Sequence, residues 1–125
     1  MDTDKFTQEF HPEQDVMHVR VAGTFPKAIL ESKGNIFQPL IEACEQANCR
    51  IALIDLRELQ VDMDTLEVFR AGVDAALASR LGLRLAFVAR EETLDPFFEN
   101  VVTNRGARVE VFTEREDATR WVSGS

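Results

Sequence analysis

The stretch from Ile51 to Ala89, IALIDLRELQVDMDTLEVFRAGVDAALASRLGLRLAFVA, constrains the fold more than any other part of the chain. It reads in order as a buried strand, a polar junction, an amphipathic helix and a second buried strand. Ile51–Leu56 is apolar on both faces and too short for a helix, which fits a central parallel strand covered on two sides. Arg84–Ala89 repeats that signature through Leu85, Ala86, Phe87 and Val88. Two such strands joined by a helix form a βαβ unit, so the pattern predicts a parallel α/β sheet. The polar junction, Asp62 to Thr65, falls where the first strand's exit meets a helix start, the place where open α/β sheets put whatever they recognise.

The flanking segments extend this unit. Lys5–Phe10 and Val16–Gly23 each alternate apolar and polar residues, which predicts an antiparallel hairpin turning through HPEQD. Met17, Val19 and Val21 then share one face, His18 and Arg20 the other. Between Phe25 and Asn35 the signals conflict, because PKAILESK can form a helical turn that Pro26, Gly34 and Asn35 interrupt. Phe37, Leu40, Ile41, Cys44 and Ala47 or Asn48 follow helical spacing, predicting a helix from about Gln38 to Ala47 with Pro39 in its opening turn.

Asp64 followed by Glu67 has the spacing of a capping box and predicts the start of the next helix. Leu66, Phe69, Val73 and Leu77 are expected as its buried stripe. Ala71, Gly72, Ala75, Ala76 and Ala78 form a slim second face suited to close packing against a sheet or another subunit. Gly82 should end that helix. Thr93 is expected to cap a third helix whose stripe is Leu94, Phe97, Phe98, Val101 and Val102, closed by Gly106. Arg108–Phe112 reads as the last strand. Thr113 and Glu116 repeat the capping spacing before a final helix packed through Ala118, Trp121 and Val122. The predicted class is α/β: a mixed, mainly parallel sheet of about five strands with about four helices, in the order β-β-α-β-α-β-α-β-α. At 125 residues the chain fits a single domain with one core.

Composition narrows the function classes. A formal net charge of −8 argues against nucleic acid, whose phosphates are neutralised by Lys and Arg. It suits a solvated acidic exterior or a basic protein surface. No apolar run approaches the roughly 20 residues of a membrane helix. The start, MDTDKFTQEFH, has neither the basic nor the apolar part of a secretory signal, so the expected location is cytoplasmic. Cys44 and Cys49 have neither redox nor zinc-knuckle spacing and are expected to be reduced, with no metal bound. No glycine-rich phosphate loop or dinucleotide fingerprint occurs, and no cofactor is expected.

Catalytic constellations are incomplete. His11 and His18 both lie in the N-terminal hairpin, and none of the four serines sits in a Gly-x-Ser-x-Gly elbow. Asp62-Met63-Asp64-Thr65 resembles the opening motif of haloacid-dehalogenase phosphatases. It departs from that motif because Arg57, Glu58 and Gln60 separate it from the apolar strand and because no lysine follows Lys33. Arg105 and Arg108, around an Asn-Arg-Gly break, can grip a carboxylate or phosphate, although helix capping alone also accounts for these residue types. Phe97, Phe98 and Phe112 read as core, with room for a lipid or aromatic ligand only if the rings leave a gap beneath the third helix.

The Ile51–Gly72 segment resembles the sulfate-transporter and anti-anti-sigma-factor domain, STAS, in which an apolar strand leads to an Asp-Ser-Ser/Thr-Gly junction opening a helix. Leu53–Leu56, Leu59, Val61 and Met63-Asp64-Thr65-Leu66 carry the likeness. The characteristic serine pair and glycine are missing, leaving Thr65 as the hydroxyl able to stand for the phosphoacceptor. FFENVVTNRGARVEVFTEREDATRWV resembles the SpoIIAA-like branch of that superfamily, and together the resemblance covers about Val16 to Val122. It implies a non-enzymatic regulatory or protein-interaction module that binds a protein partner through Asp62, Asp64 and Thr65. A second possibility is a small-molecule or lipid carrier using Phe97, Phe98, Arg105 and Arg108; a divergent phosphatase-like enzyme ranks third. Self-association as a homodimer through the face around Gly72 and Ala75 is a further expectation.

Overall fold

The computed structural model describes residues 5–31 and 33–124. Their five strands, β1 (Thr7–Glu13), β2 (Val16–Thr24), β3 (Ile51–Gln60), β4 (Arg84–Val88) and β5 (Val109–Phe112), form one sheet in sequential order. β1 and β2 are antiparallel, and every later pairing is parallel. Five helices accompany them: α1 (Lys27–Glu31), α2 (Gln38–Ala47), α3 (Thr65–Arg80), α4 (Pro96–Asn104) and α5 (Arg115–Gly124). The additional helix is α1, a single turn in the segment with conflicting signals.

Sequential order has a direct consequence. When each parallel strand is added on the same side, right-handed crossovers put every connecting helix on one face. Leu40, Ile41 and Cys44 of α2, Ala75 and Ala78 of α3, and Val102 of α4 accordingly share a core with Met17, Val19, Val21, Ile54, Leu85 and Phe87. The other face is covered by α5, where Ala118 and Val122 close over Leu53, Ala86 and Val88. The alternation expected in β2 is therefore realised, with Met17, Val19 and Val21 buried.

The hairpin is tighter than the turn-rich sequence HPEQD suggested. His11–Glu13 continue β1 and pair with Val16–His18, so only Gln14 and Asp15 make the turn, Gln14 at φ 59°. Pro12 is tolerated because β1 is an edge strand. The capping box at α3 forms as its spacing predicts: the Glu67 amide donates to Asp64 Oδ1 at 2.8 Å and the Asp64 amide to Glu67 Oε1 at 2.9 Å. At α4 the cap is Asp95, whose Oδ1 accepts from the Phe97 amide at 2.9 Å, and not Thr93. Pro96 is the reason, since proline suits the first helical position and places the cap one residue before it. Thr93 instead belongs to a 3₁₀ turn, Glu91–Thr93, and donates to the Arg90 carbonyl.

The main departure from expectation is the orientation of α3. The stripe Leu66, Phe69, Leu77 faces outward, and Leu66 is 78% exposed; Val73 is half-buried. The inward face is Val68, Ala71, Gly72, Ala75, Ala76 and Ala78. The cause is the close approach of α4: a Cβ on Gly72 would lie 2.7 Å from Val101 Cγ1 and 2.9 Å from Val101 Cβ. Large side chains cannot enter that contact, so the small-residue face packs inside and the large one is left outside.

A buried polar clamp fastens the chain ahead of α2 to α3. Asp74 Oδ2 accepts from the Ile36 amide at 2.9 Å, Asn35 Nδ2 donates to the Asp74 carbonyl at 3.0 Å, and Arg70 donates to the Leu30 and Gly34 carbonyls. On the α5 side, Asp55 accepts from Arg57 Nε at 3.0 Å, Arg57 Nη2 at 2.8 Å and Arg115 Nη1 at 3.4 Å. The carboxylate in the middle of an apolar strand thus ties β3 to the first turn of α5.

Two outcomes follow for stability. Gly72→Ala gains about 1 kcal/mol of helix propensity but overpacks a stiff, branched neighbour, which costs about 1–3 kcal/mol. A lower melting temperature is expected, partly restored by Val101→Ala in the double variant; a Gly72→Ala protein as stable as the parent contradicts the contact. For Asp55, burial opposes the charge, yet the Arg57 hydrogen bonds and the Arg115 charge hold its carboxyl below the ordinary value. Stability from a depressed carboxyl is present above the unfolded-state value of about 3.9 and lost as pH falls through the folded-state value. Asp55→Asn should therefore melt lower than the parent at pH 7, with the deficit shrinking below about pH 4. A deficit constant down to pH 2 would contradict this linkage.

Candidate functional site

β3 is four residues longer than its apolar core predicted. Its first half pairs with β4 only from Ile51 to Asp55, while its second half continues alongside β2 to Gln60 past a register shift between Arg20 and Ala22. β4 stops at Val88 and the chain turns away into the 3₁₀ turn and α4. The space β4 vacates, beyond the carboxyl ends of the parallel strands, is a half-open cleft of about 440 Å³. That volume lies in the ordinary range of small-molecule sites.

The cleft is built from every element around it. Leu56, Leu59 and Val61 come from the β3 overhang and its exit, Phe87, Ala89 and Val111 from the ends of β4 and β5, and Val68 and Ala71 from α3. Leu94 and Phe98 close the α4 side, and Phe25, Ile36 and Phe37 close the side held by the Asp74 clamp. Phe87 stands between Phe37 and Phe98, each ring centroid 5.8 Å away. The charged residues at the lining are Asp62, Glu92, Asp95 and Glu99, all acidic. Of these, Asp95 caps α4, and Glu92 lies 3.9 Å from Arg90, which also reaches toward the Leu59 carbonyl.

The junction Asp62–Thr65 forms one lip of this cleft. Asp62 and Met63 line it. Asp64 is committed to the capping box, and its partner Glu67 also accepts from Lys27 Nζ at 2.9 Å. The Lys27 hydrogen bond and the Asp64 amide hold the Glu67 carboxyl below its usual value, and Lys27 is raised in turn by Glu67. Thr65 occupies the first position of α3 and is exposed. The two aspartates of the phosphatase-like string therefore differ in kind: Asp62 is an exposed lip residue and Asp64 is a helix cap.

The four ligand candidates separate. Phe98 lines the cleft, whereas Phe97 turns outward and stacks on Phe69 with centroids 6.4 Å apart. The Arg105 guanidinium sits 5.2 Å over the Phe69 ring. Arg108 lines a different, polar depression at the amino ends of the strands, together with Arg50 and Arg84, and its amide donates to Ser79 Oγ. Arg84 in turn lies over Trp121 at 4.3 Å.

Two features escaped the linear reading. The cleft floor was signalled by the alternation that runs on through Glu58, Leu59, Gln60 and Val61, a period of two beyond the apolar core of β3. The Asp74 clamp carries no local signal, because its partners lie 38 and 39 residues away.

Burial, with Cys49 adding to it, pushes the Cys44 thiol up to about 11, and burial also raises Cys49. His18 faces Arg115 and Glu13 on the α5 side of the sheet. Among the described residues no group of three His, Cys, Asp or Glu side chains is placed to hold a metal ion, and no helix is long and apolar enough to cross a membrane.

No family model and no curated protein matches the chain. Solved structures do. An anti-sigma factor antagonist from Mycobacterium paratuberculosis superposes with a TM-score of 0.61 at 14% identity, covering 96% of each chain. An uncharacterized protein with a SpoIIAA-like fold from Shewanella loihica superposes with a TM-score of 0.57 at 18% identity, covering 93% of this chain and 92% of that one. With these TM-scores and near-complete coverage, the chain has a SpoIIAA-like fold.

Proposed function

We propose that the protein is a non-enzymatic regulatory module that binds a protein partner through the outer face of α3 and the acidic junction that opens it. The observation that carries this reading is the apolar surface the helix leaves uncovered. Val61, Leu66, Phe69, Leu77, Leu81 and Phe97 are the exposed large hydrophobic residues of the described chain, and all lie on or beside α3. Scattered exposed apolar residues need no explanation, but a row of them along one helix marks an interaction surface. Asp62, Asp64 and Glu67 gather at the amino end of the row, and the whole chain carries a net charge of −8. A complementary partner presents an apolar segment flanked by basic side chains. That the similar Mycobacterium protein is an anti-sigma factor antagonist agrees with a role in protein binding.

Thr65 belongs to this edge as a contact residue. A phosphate there would add negative charge beside Asp62, Asp64 and Glu67, while Lys27 is already engaged by Glu67. Attraction to the helix amino end opposes that repulsion, but the Glu67 amide is already taken by Asp64. Recognition without phosphorylation is the form we favour.

A second reading, a carrier of a small apolar molecule, rests on the cleft beside the junction. Native and denatured mass of gently purified protein separates the two, since a carrier retains non-covalent mass.

The docking face is tested by Leu66→Lys with Leu77→Lys. Both positions are well exposed, so thermal stability should stay within about 1 kcal/mol of the parent. Affinity for a cross-linked and then purified partner should fall at least about tenfold, or about 1.4 kcal/mol. Unchanged affinity in the folded double variant would remove α3 as the docking face. If sedimentation shows instead that the parent dimerises and the variant does not, the occupant is a second copy of the chain.

A further inference from the structure

The cleft at the carboxyl ends of β3, β4 and β5 has a chemical selectivity that goes beyond apolar. We infer that it takes a small molecule with an apolar or aromatic body and a positively charged ammonium group, a proposal that rests on the carrier reading above. Two independent features of the cleft converge on a cation.

The first is its rim. Asp62 comes from the exit of β3 and Glu99 from the first turn of α4, and Glu92 and Asp95 lie between β4 and α4. No Lys, Arg or His belongs to the lining. Lys27 is engaged by Glu67 at 2.9 Å, within electrostatic reach of Asp62 and Asp64, and Arg90 is taken up by the rim itself, 3.9 Å from Glu92 and 3.5 Å from the Leu59 carbonyl. Among the described residues this leaves Asp62 and Glu99 as the rim carboxylates outside any ion pair or helix cap. An anion entering the cleft would meet carboxylates. It would also find the α3 and α4 amino ends already capped, with the Glu67 and Phe97 amides donating to Asp64 and Asp95. At each helix end, where anions are ordinarily attracted, the cap carboxylate already occupies one of the free amides.

The second feature is the ring system. Phe37, Phe87 and Phe98 form a contiguous row along the cleft, with Phe25 at its side. Aromatic faces attract ammonium groups through the ring quadrupole and pack well against apolar or aromatic bodies. A neutral lipid would be served by the rings alone and gains nothing from four carboxylates at the mouth. A carboxylic acid or phosphate ester would be repelled by them. An amphiphilic amine satisfies both features, with its body on the rings and its charge at the rim.

The test compares three probes that share one body: 1-naphthylmethylamine, 1-naphthylmethanol and 1-naphthylacetate. Each is titrated into the parent protein and into a variant carrying Asp62→Asn and Glu99→Gln. Both substituted side chains are exposed, and neither caps a helix. Binding is read by calorimetry and by amide shifts of Leu56, Leu59, Ala89 and Phe98. The amine should bind at least about tenfold tighter than the alcohol. The naphthylacetate should bind weakest, and the variant should lose the amine preference while keeping its affinity for the alcohol. Added salt should weaken the amine alone. Equal affinity for amine and alcohol in the parent overturns the charge selectivity and leaves the carrier reading standing. Absence of binding by all three overturns both, and preference for the naphthylacetate overturns the ammonium assignment directly.

Discussion

Helix α3 meets α4 at a glycine, Gly72, set directly against Val101, and much of the molecule's character depends on that contact. Val101 occupies the space a Cβ on Gly72 would need, and alanines at 71, 75, 76 and 78 extend the same slim face. The close approach reverses the usual economy of an amphipathic helix, in which the larger apolar residues go inside. Here they line the solvent side from Leu66 to Leu81, with Phe97 of α4 stacked on Phe69 and Arg105 laid over it. The proposed docking surface is thus a by-product of how the core closes.

The second architectural constraint is the unequal length of neighbouring strands. β3 runs on with β2 after β4 has turned away, and this mismatch opens the cleft at the end of the sheet where open α/β folds bind ligands. The segment before α2 closes one side of that opening, and the Asp74 and Arg70 hydrogen bonds hold it to α3. Charge is divided along the strand direction as well. Carboxylates gather at the cleft and junction, while Arg50, Arg84 and Arg108 stand at the opposite ends of the strands. A partner or ligand approaching the molecule therefore meets a mainly acidic cleft at one end of the sheet and an arginine cluster, with Asp15 among it, at the other.

Much of this architecture is legible in the linear sequence, for local reasons. Ile51–Leu56 and Arg84–Ala89 announce themselves as buried strands, and Asp64 with Glu67 announces the start of α3, because each signal is complete within a few residues. The face of α3 that turns inward was not legible. Leu66, Phe69 and Leu77 look like a core stripe unless the neighbour that excludes them is known, and Val101 is 29 residues from Gly72 along the chain. Sequence spacing puts the cap of α4 at Thr93 and the structure puts it at Asp95, because two acceptable caps lie close together and the proline rule decides between them. For the candidate site, the Asp62–Thr65 junction could be located from sequence, but the cleft could not. Its walls come from separate elements, and only the continued alternation after Leu56 hints at its floor.

The orientation of α3 is open to direct measurement in the isolated protein. Methyl resonances can be recorded with and without a soluble nitroxide, at a dilution where sedimentation shows a monomer. Strong broadening of the Leu66, Leu77 and Leu81 methyls is expected, while those of Leu40, Leu53 and Leu85 stay sharp. Protection of Leu66 and Leu77 equal to that of Leu53 would place the large face of α3 inside, and would contradict both the packing at Gly72 and the docking surface built on it.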